Sequence, residues 1–245
     1  MNEGKGSLPN RALASLLAII FLIGVMGPVP VMAADDDPVE GARSEVLNRS
    51  LNIGYKGVIS HEKILEDFEK AFSTVEKTVY VRTKNAVFVT PATLRAIDAA
   101  ARRAGKTAVI RCDTMENTEN TVQGRIFVEP AQLTALESDL KLGIFTQRSK
   151  VRSVQTIFER SFDNAVRVIH CEQKGTFGAR LRIAVKLDFS GMDTDNLKFF
   201  LYDKDSNRFT QLKDTNYSFD DNEFLHFYTE SAGSIVIADS VLYPK

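Results

Sequence analysis

Beyond Gly105 the apolar residues of this chain recur at every second position, in short runs divided by polar turns. A two-residue period is the signature of strands with one buried face, and it limits the fold more than any other feature. The runs predict strands at 106–112, 125–129, 141–146, 165–171, 180–188, 197–203, 208–212, 223–229 and 234–238. Polar segments such as 115–121 (MENTENT), 203–207 (DKDSN) and 220–223 (DDNE) supply turns. The alternation from Arg180 to Leu187 (RLRIAVKL) suits a sheet with one wet side and one buried side. Short strands at this spacing predict an antiparallel sandwich or barrel and argue against a parallel nucleotide-binding sheet.

Ahead of Gly105 the period changes to that of helices. Ile64, Leu65, Phe68, Ala71, Phe72 and Val75 form one stripe of an amphipathic helix over 60–77, with Ser60 placed to cap it. A stripe with two Phe must be buried, either on its own domain or on a partner. Strands at 78–82 and 86–89 flank the turn Thr83-Lys84-Asn85. Thr90 as N-cap, Pro91 in the first turn and Gly105 past the end delimit a second helix over 91–104. Its buried stripe is Leu94, Ile97, Ala101 and Ala104, with Arg102 and Arg103 in the last turn. A further short helix is expected around 151–160.

The first 33 residues read as an address. Lys5 and Arg11 precede an unbroken apolar run of 16 residues from Ala12 to Gly27, and Val31-Met32-Ala33 puts small residues before a cleavage point. This order is that of a secretory signal peptide at 1–33. The competing reading, a membrane anchor, needs about 20 apolar residues. Residues 34–59 are expected to be a flexible leader, 60–77 the amphipathic helix and 78–245 a β-sandwich-like domain. No segment after 33 is apolar enough to span a membrane, so the protein is expected to be secreted or held non-covalently at a cell surface. Its 31 basic and 32 acidic residues become 29 and 31 once Lys5, Arg11 and Glu3 are removed. That balance gives no global case for nucleic-acid binding. It hides an asymmetry, because 147–182 holds eight bases against three acids and 188–239 holds eleven acids against four bases. Two solvated faces account for this, and so does a basic face for an anionic wall polymer.

Signals for chemistry are few. Cys112 and Cys171 are the only cysteines. A disulfide between neighbouring strands and two separately buried thiols both fit their spacing. His170 adjoins Cys171, but neighbours in a strand point to opposite faces, so the two cannot act as a nucleophile pair. Asp203, Asp205 and Asn207 match the opening of a calcium loop. Arg208 stands where such a loop needs Gly, and Asp214 where it needs Glu, so the segment also reads as a solvated hairpin turn. The chain has no Trp, which removes the commonest platform for stacking on sugar and weakens a paired-carboxylate glycosidase site. Tyr55, Tyr202, Tyr217, Tyr228 and Tyr243 remain as sugar contacts. Sequons stand at Asn48 and Asn216. No cofactor motif is present.

Three stretches carry a resemblance: VTPATLRAIDAAARRAGKTAVIRCD, LKFFLYDKDSNRFTQL and DDNEFLHFYTESAGSIVIADSVL. Together, over about 78–240, they are similar to β-rich modules in exported surface proteins of gut-type Gram-positive bacteria. The segment around 151–160 is longer and more helical than that pattern. The resemblance implies an immunoglobulin-like sandwich with one or two short packed helices, mainly β and α+β in detail, and no catalytic residues. The expected function is a non-enzymatic extracellular binding or scaffolding module for a glycan or a protein. The alternative is an accessory or weak carbohydrate-active hydrolase.

Overall fold

A computed structural model of the protein describes residues 57–115, 121–213 and 215–245, apart from the side chains of residues 148–150. The signal peptide expected at 1–33 and the leader expected at 34–59 lie outside these residues as far as position 56.

The mainly β fold is organised by one long antiparallel ribbon. β8 (Val166–Lys186) and β12 (Phe224–Ala238) stay paired from Val166↔Ala238 to Phe224↔Lys186. Each was expected as two strands, because the segments between them lose the alternation. They continue as ribbon because each supplies the other's hydrogen bonds, while bulges and the positive φ of Gly175, Gly178 and Gly233 absorb the break. At these bulges the ribbon changes its outer partners within one nine-stranded sheet. The first half of β8 pairs with β7 (Ile144–Phe145), and the second half of β12 pairs with β9 (Lys198–Asp203), which pairs with β10 (Arg208–Gln211). The second half of β8 pairs with β5 (Val122–Val128), β5 with β4 (Thr107–Met115), and β4 with β2 (Thr78–Lys84). On the far side of β12 lies β11 (Tyr217–Phe219), a short strand the sequence pattern did not predict.

An entirely antiparallel arrangement is not what forms. β2 and β4 are parallel from Thr78↔Thr107 to Lys84↔Asp113. The connection runs through β3 (Ala86–Val89) and α2 (Pro91–Ala104), a helical crossover of the length that parallel neighbours need. β3 joins β1 (Gly57–Val58) in parallel and β6 (Leu140–Lys141) in antiparallel fashion as a small separate sheet. Residues 57–59 are thus part of the fold and not leader. The Ile59 amide donates to the Phe88 carbonyl, and its side chain is buried.

α1 (His61–Phe72) begins where expected, with the Lys63 amide donating to Ser60 Oγ, but it ends at Ser73. Val75 therefore leaves the expected stripe and is 90% exposed. Ile64, Phe68 and Ala71 join Leu94 and Ile97 of α2, and the inward residues of β2, β4, β5, β8 and β12, in one core cluster. The helix belongs to the same core as the strands. Thr90 caps α2, and Gly105 closes it at φ 65 with the Lys106 amide donating to the Ala101 carbonyl. Ala100, not Ala104, completes its buried stripe. α3 (Arg148–Ser161) lays Val151, Val154 and Phe158 on Val166, Val168, Phe200, Tyr202, Val236 and Ala238. It covers the outer side of the β8–β12–β9 sheet. Among the described residues no helix is long and apolar enough to cross a membrane.

Candidate functional site

The outer side of the β2–β4–β5–β8–β12 sheet is built differently. Its apolar content is a small cluster of Val109, Phe127, Ala184 and Phe224, edged by Tyr80 and Val122, with no helical residue in it. The rest is charge. Strand register lines these side chains up in rows across the sheet. One row runs Arg82, Arg111, Phe127, Arg182, Tyr228. The next runs Lys84, Asp113, Arg125, Ala184, His226, Ser218.

Asp113 is the pivot. It is fully buried, and three arginines converge on it. Arg82 Nε donates to Oδ2 at 2.5 Å and Arg111 Nε to Oδ1 at 3.0 Å, while Arg125 Nε stands 3.9 Å from Oδ1. Arg125 also lies 3.7 Å from Asp220 through Nη1. At these distances it has ion-pair attraction but no hydrogen bond, and its buried Nε has no hydrogen-bond partner among the described residues. Burial and the neighbouring Arg111 pull its pKa down, against the opposing pull of Asp113 and Asp220. Asp220 sits in the β11–β12 turn, where it accepts from the Phe224 amide at 2.7 Å and the Asn222 amide at 3.0 Å. His226 Nε2 donates to its other oxygen at 2.9 Å. Burial pushes the Asp220 carboxyl upward, but the His226 and Phe224 hydrogen bonds and the Arg125 charge outweigh it and hold it below its ordinary value.

Two aromatic rings of this face, Phe127 and Phe224, are each covered by a guanidinium, whereas Tyr228 is exposed. The Arg182 guanidinium lies 3.8 Å from the centre of Phe127, and that of Arg125 lies 3.9 Å from the centre of Phe224. Such contacts hold each guanidinium flat against the sheet. The two rows thus contain four arginines and one carboxylate, Asp113, with Asp220 beside them in the β11–β12 turn. At the edge Lys186 pairs with Glu223 at 3.3 Å.

Among the described residues there are also concavities, one of about 620 Å³ being lined by Thr194, Asp195, Thr215, Asn216, Tyr217 and Phe219. A cleft of about 520 Å³ is lined by Asn85, Met115, Gln123, Phe145, Thr146 and Glu172. A groove of about 570 Å³ runs past Lys186, Asp188, Phe189, Thr194, Phe219 and Glu223. The cleft contains one carboxylate, Glu172. In the groove, Asp188 accepts from the Ser190 amide and Glu223 is paired with Lys186.

The residues singled out from the sequence fall elsewhere. Cys112 and Cys171 are both free and buried, so the disulfide left open by their spacing is not formed. Cys112 lies across from Thr83 and Ile126, and Cys171 across from Ile144, in strands that do not pair with each other at those positions. Burial pushes the thiols up to about 11 and about 12. His170 Nδ1 is 3.1 Å from Ser234 Oγ, on the side of the strand opposite Cys171, as alternation requires. Asp203, Asp205 and Asn207 form the β9–β10 hairpin turn. Asp203 accepts from the Asp205 amide and Ser206 Oγ, and Asn207 Oδ1 accepts from the Tyr202 hydroxyl, so these oxygens serve the turn itself. Of the tyrosines, Tyr202 is buried and Tyr217 is tied to Leu197 and Thr194. Tyr228 and Tyr243 are exposed, and Tyr55 lies outside the described residues.

Among the described residues, the bases of 147–182 do not gather on one surface. Arg152 and Arg160 are exposed on α3, Arg167 is bound to the carbonyls of Asp188 and Ser190, and only Arg182 joins the arginine rows. Arg82, Arg111, Asp113, Arg125 and Asp220 were missed because they are spread over four segments. Their one signal was local: each arginine occupies a polar position in an alternating strand. No protein-family model matches the chain, and no curated protein does.

Proposed function

We propose that the protein is a non-enzymatic binding or scaffolding module, exported and acting outside the cell or at its surface, whose ligand surface is the outer face of the β2–β4–β5–β8–β12 sheet. The observation that carries this reading is the preorganised charge on that face. Its polar side chains are held by ion pairs, hydrogen bonds and ring contacts, so little rotamer freedom remains to be lost on binding. The apolar run and small-residue site at 1–33 support export. The resemblance of residues 78–240 to immunoglobulin-like surface modules supports the same role, although the parallel β2–β4 pair and its helical crossover depart from an all-antiparallel sandwich. The hydrolase alternative would need two unpaired carboxylates across one cleft. The concavities among the described residues offer Glu172 in one, Asp188 and Glu223 engaged with Ser190 and Lys186 in another, and Asp195 in a third.

Co-sedimentation with insoluble envelope material of a Gram-positive bacterium tests the reading. The protein is expected in the pellet, and the double variant Arg180→Gln, Arg182→Gln, which removes the guanidiniums 5.8 Å from the centre of Tyr228 and 3.8 Å from that of Phe127, in the supernatant with its unfolding midpoint kept. Equal retention of both proteins refutes the assignment of the face, and release of reducing sugar favours the hydrolase.

A further inference from the structure

The cleft of about 520 Å³ lies where the β2–β3 turn, the end of β4 and the segment from β7 into α3 meet β8. Its walls are tied to one another. Asn85 Oδ1 accepts from the Met115 amide at 2.8 Å, Thr114 Oγ1 accepts from the Ile144 amide at 3.3 Å, and the Thr146 hydroxyl donates to Gln123 Oε1. Three half-buried polar groups of the lining have no partner among the described residues: the Glu172 carboxylate, the Asn85 Nδ2 group and the Gln147 side-chain amide. Glu172 also dictates the residue opposite it. Gly143 has no positive φ, yet a Cβ there would stand 2.6 Å from Glu172 Oε2 and 3.1 Å from the Phe145 ring. The carboxylate is thus laid over a bare Cα, and the Glu172 amide is anchored there by donating to the Gly143 carbonyl at 2.8 Å. We infer that this cleft binds a small molecule bearing a protonated primary amine, with the ammonium against Glu172 and neighbouring hydroxyl or carbonyl oxygens against Asn85 and Gln147. None of these residues belongs to the arginine rows, so the inference stands apart from the outer-face reading.

The chemistry of the cleft selects the ligand class. A carboxylate that is partly withdrawn from water and lacks a counter-charge disfavours anions and gains most from a cation that also donates hydrogen bonds. A hard metal ion is a poor match, because it asks for several oxygen ligands and Glu172 is the one carboxylate of this lining. Among the described residues no group of three acidic, histidine or cysteine side chains could hold a metal. An ammonium needs only one carboxylate, since its three donors can be shared with neutral acceptors. The amides of Asn85 and Gln147 supply donors for the oxygens that stand beside the amine in an amino sugar or an amino-acid amide. The volume lies within the range of about 300–1,000 Å³ found for small-molecule sites.

Titration of the ¹⁵N-labelled protein at constant ionic strength, followed at the backbone amide signals, tests the inference. The probes are glucosamine and lysinamide as two sources of the amine, with N-acetylglucosamine and sodium chloride as controls. Saturable shifts at Gly143, Thr146 and Glu172 are expected with glucosamine or lysinamide, and the tighter of the two assigns the source. Glu172→Gln, which keeps the shape of the side chain, should weaken binding by about tenfold, the worth of a hydrogen bond to a charged group. Gly143→Ala, which fills the place of the carboxylate and keeps its charge, should weaken it by a similar factor. Glu69→Gln on the exposed side of α1 should leave it unchanged. Equal binding of N-acetylglucosamine overturns the ammonium assignment. Undiminished binding to Glu172→Gln, or equal weakening by Glu69→Gln, overturns the site, and Glu172→Gln alone decides it if Gly143→Ala does not fold. Absence of saturable shifts with both amines overturns the inference.

Discussion

Asp113→Asn is the substitution that most directly probes how the outer face is held together. It keeps the shape of the side chain and removes the one charge on which Arg82, Arg111 and Arg125 converge at 2.5, 3.0 and 3.9 Å. Breaking a buried ion pair by neutralising one partner costs about 3–5 kcal/mol. The arginine side chains keep 12–20% of their exposure and can turn partly toward water, which places the cost at the lower end, about 3 kcal/mol. For a domain of this size each kcal/mol lowers the melting temperature by about 2–4 °C, so a fall of about 6–12 °C is expected. Urea unfolding should show the midpoint moving with the slope kept. Much of the cost is repulsion among cations left behind, so Arg82→Gln added to Asp113→Asn should restore about 1 kcal/mol relative to the sum of the single changes. A loss below about 1 kcal/mol for Asp113→Asn, or simple additivity in the double variant, would refute the account of Asp113 as the pivot.

Other elements lead to separate tests. Phe68→Ala should cost about 3–5 kcal/mol in urea unfolding, because Phe68 is fully buried in the cluster shared by α1 and the sheet; a loss below 1 kcal/mol would mean that α1 is not part of the core. Gly105→Ala should cost about 1 kcal/mol by calorimetry through backbone strain alone, since φ is 65 and a Cβ there meets nothing within 4 Å. A thiol reagent should find two free thiols per chain in unreduced, unfolded protein and react slowly with the native fold, where burial pushes both groups up to about 11 and about 12. Asp220 is held below its ordinary value of 3.8 in the folded state, so its contribution is complete above that value and is lost as pH falls through the lower folded value. The stability difference between the protein and Asp220→Asn, measured by urea unfolding, should therefore be largest near neutral pH and shrink below about pH 4, with Arg125 as the charged neighbour and His226 as a hydrogen-bond partner.

The local elements were legible because their causes are local. Thr90, Pro91 and Gly105 delimit α2 through capping and a left-handed residue, and strand alternation locates β3 and β9 within a residue of where they form. What was not legible depends on pairing. The ribbon across Gly175, Gly178 and Gly233 looks like two hairpins until the partner strand is known to follow it through the bulges. The parallel β2–β4 pair is invisible to periodicity, which reports that a strand has a buried side and not which neighbour it takes. The arginine rows fail for the same reason. Arg82, Arg111, Arg125 and Arg182 each resemble an ordinary wet-face residue in sequence, and only register brings the first three together around Asp113 and lays Arg182 on Phe127. Charge counted along the chain pointed to 147–182, whose bases the fold disperses.

The central claim is that Asp113 organises the outer face by holding Arg82, Arg111 and Arg125 around one buried carboxylate. The arginine Nε–Hε signals of the ¹⁵N-labelled protein, compared with those of Asp113→Asn, test it most directly. The account predicts displaced signals for Arg82 and Arg111 in the variant and unchanged signals for Arg152 and Arg160 on α3. Unchanged Arg82 and Arg111 signals, or equal displacement at Arg152 and Arg160, would contradict it.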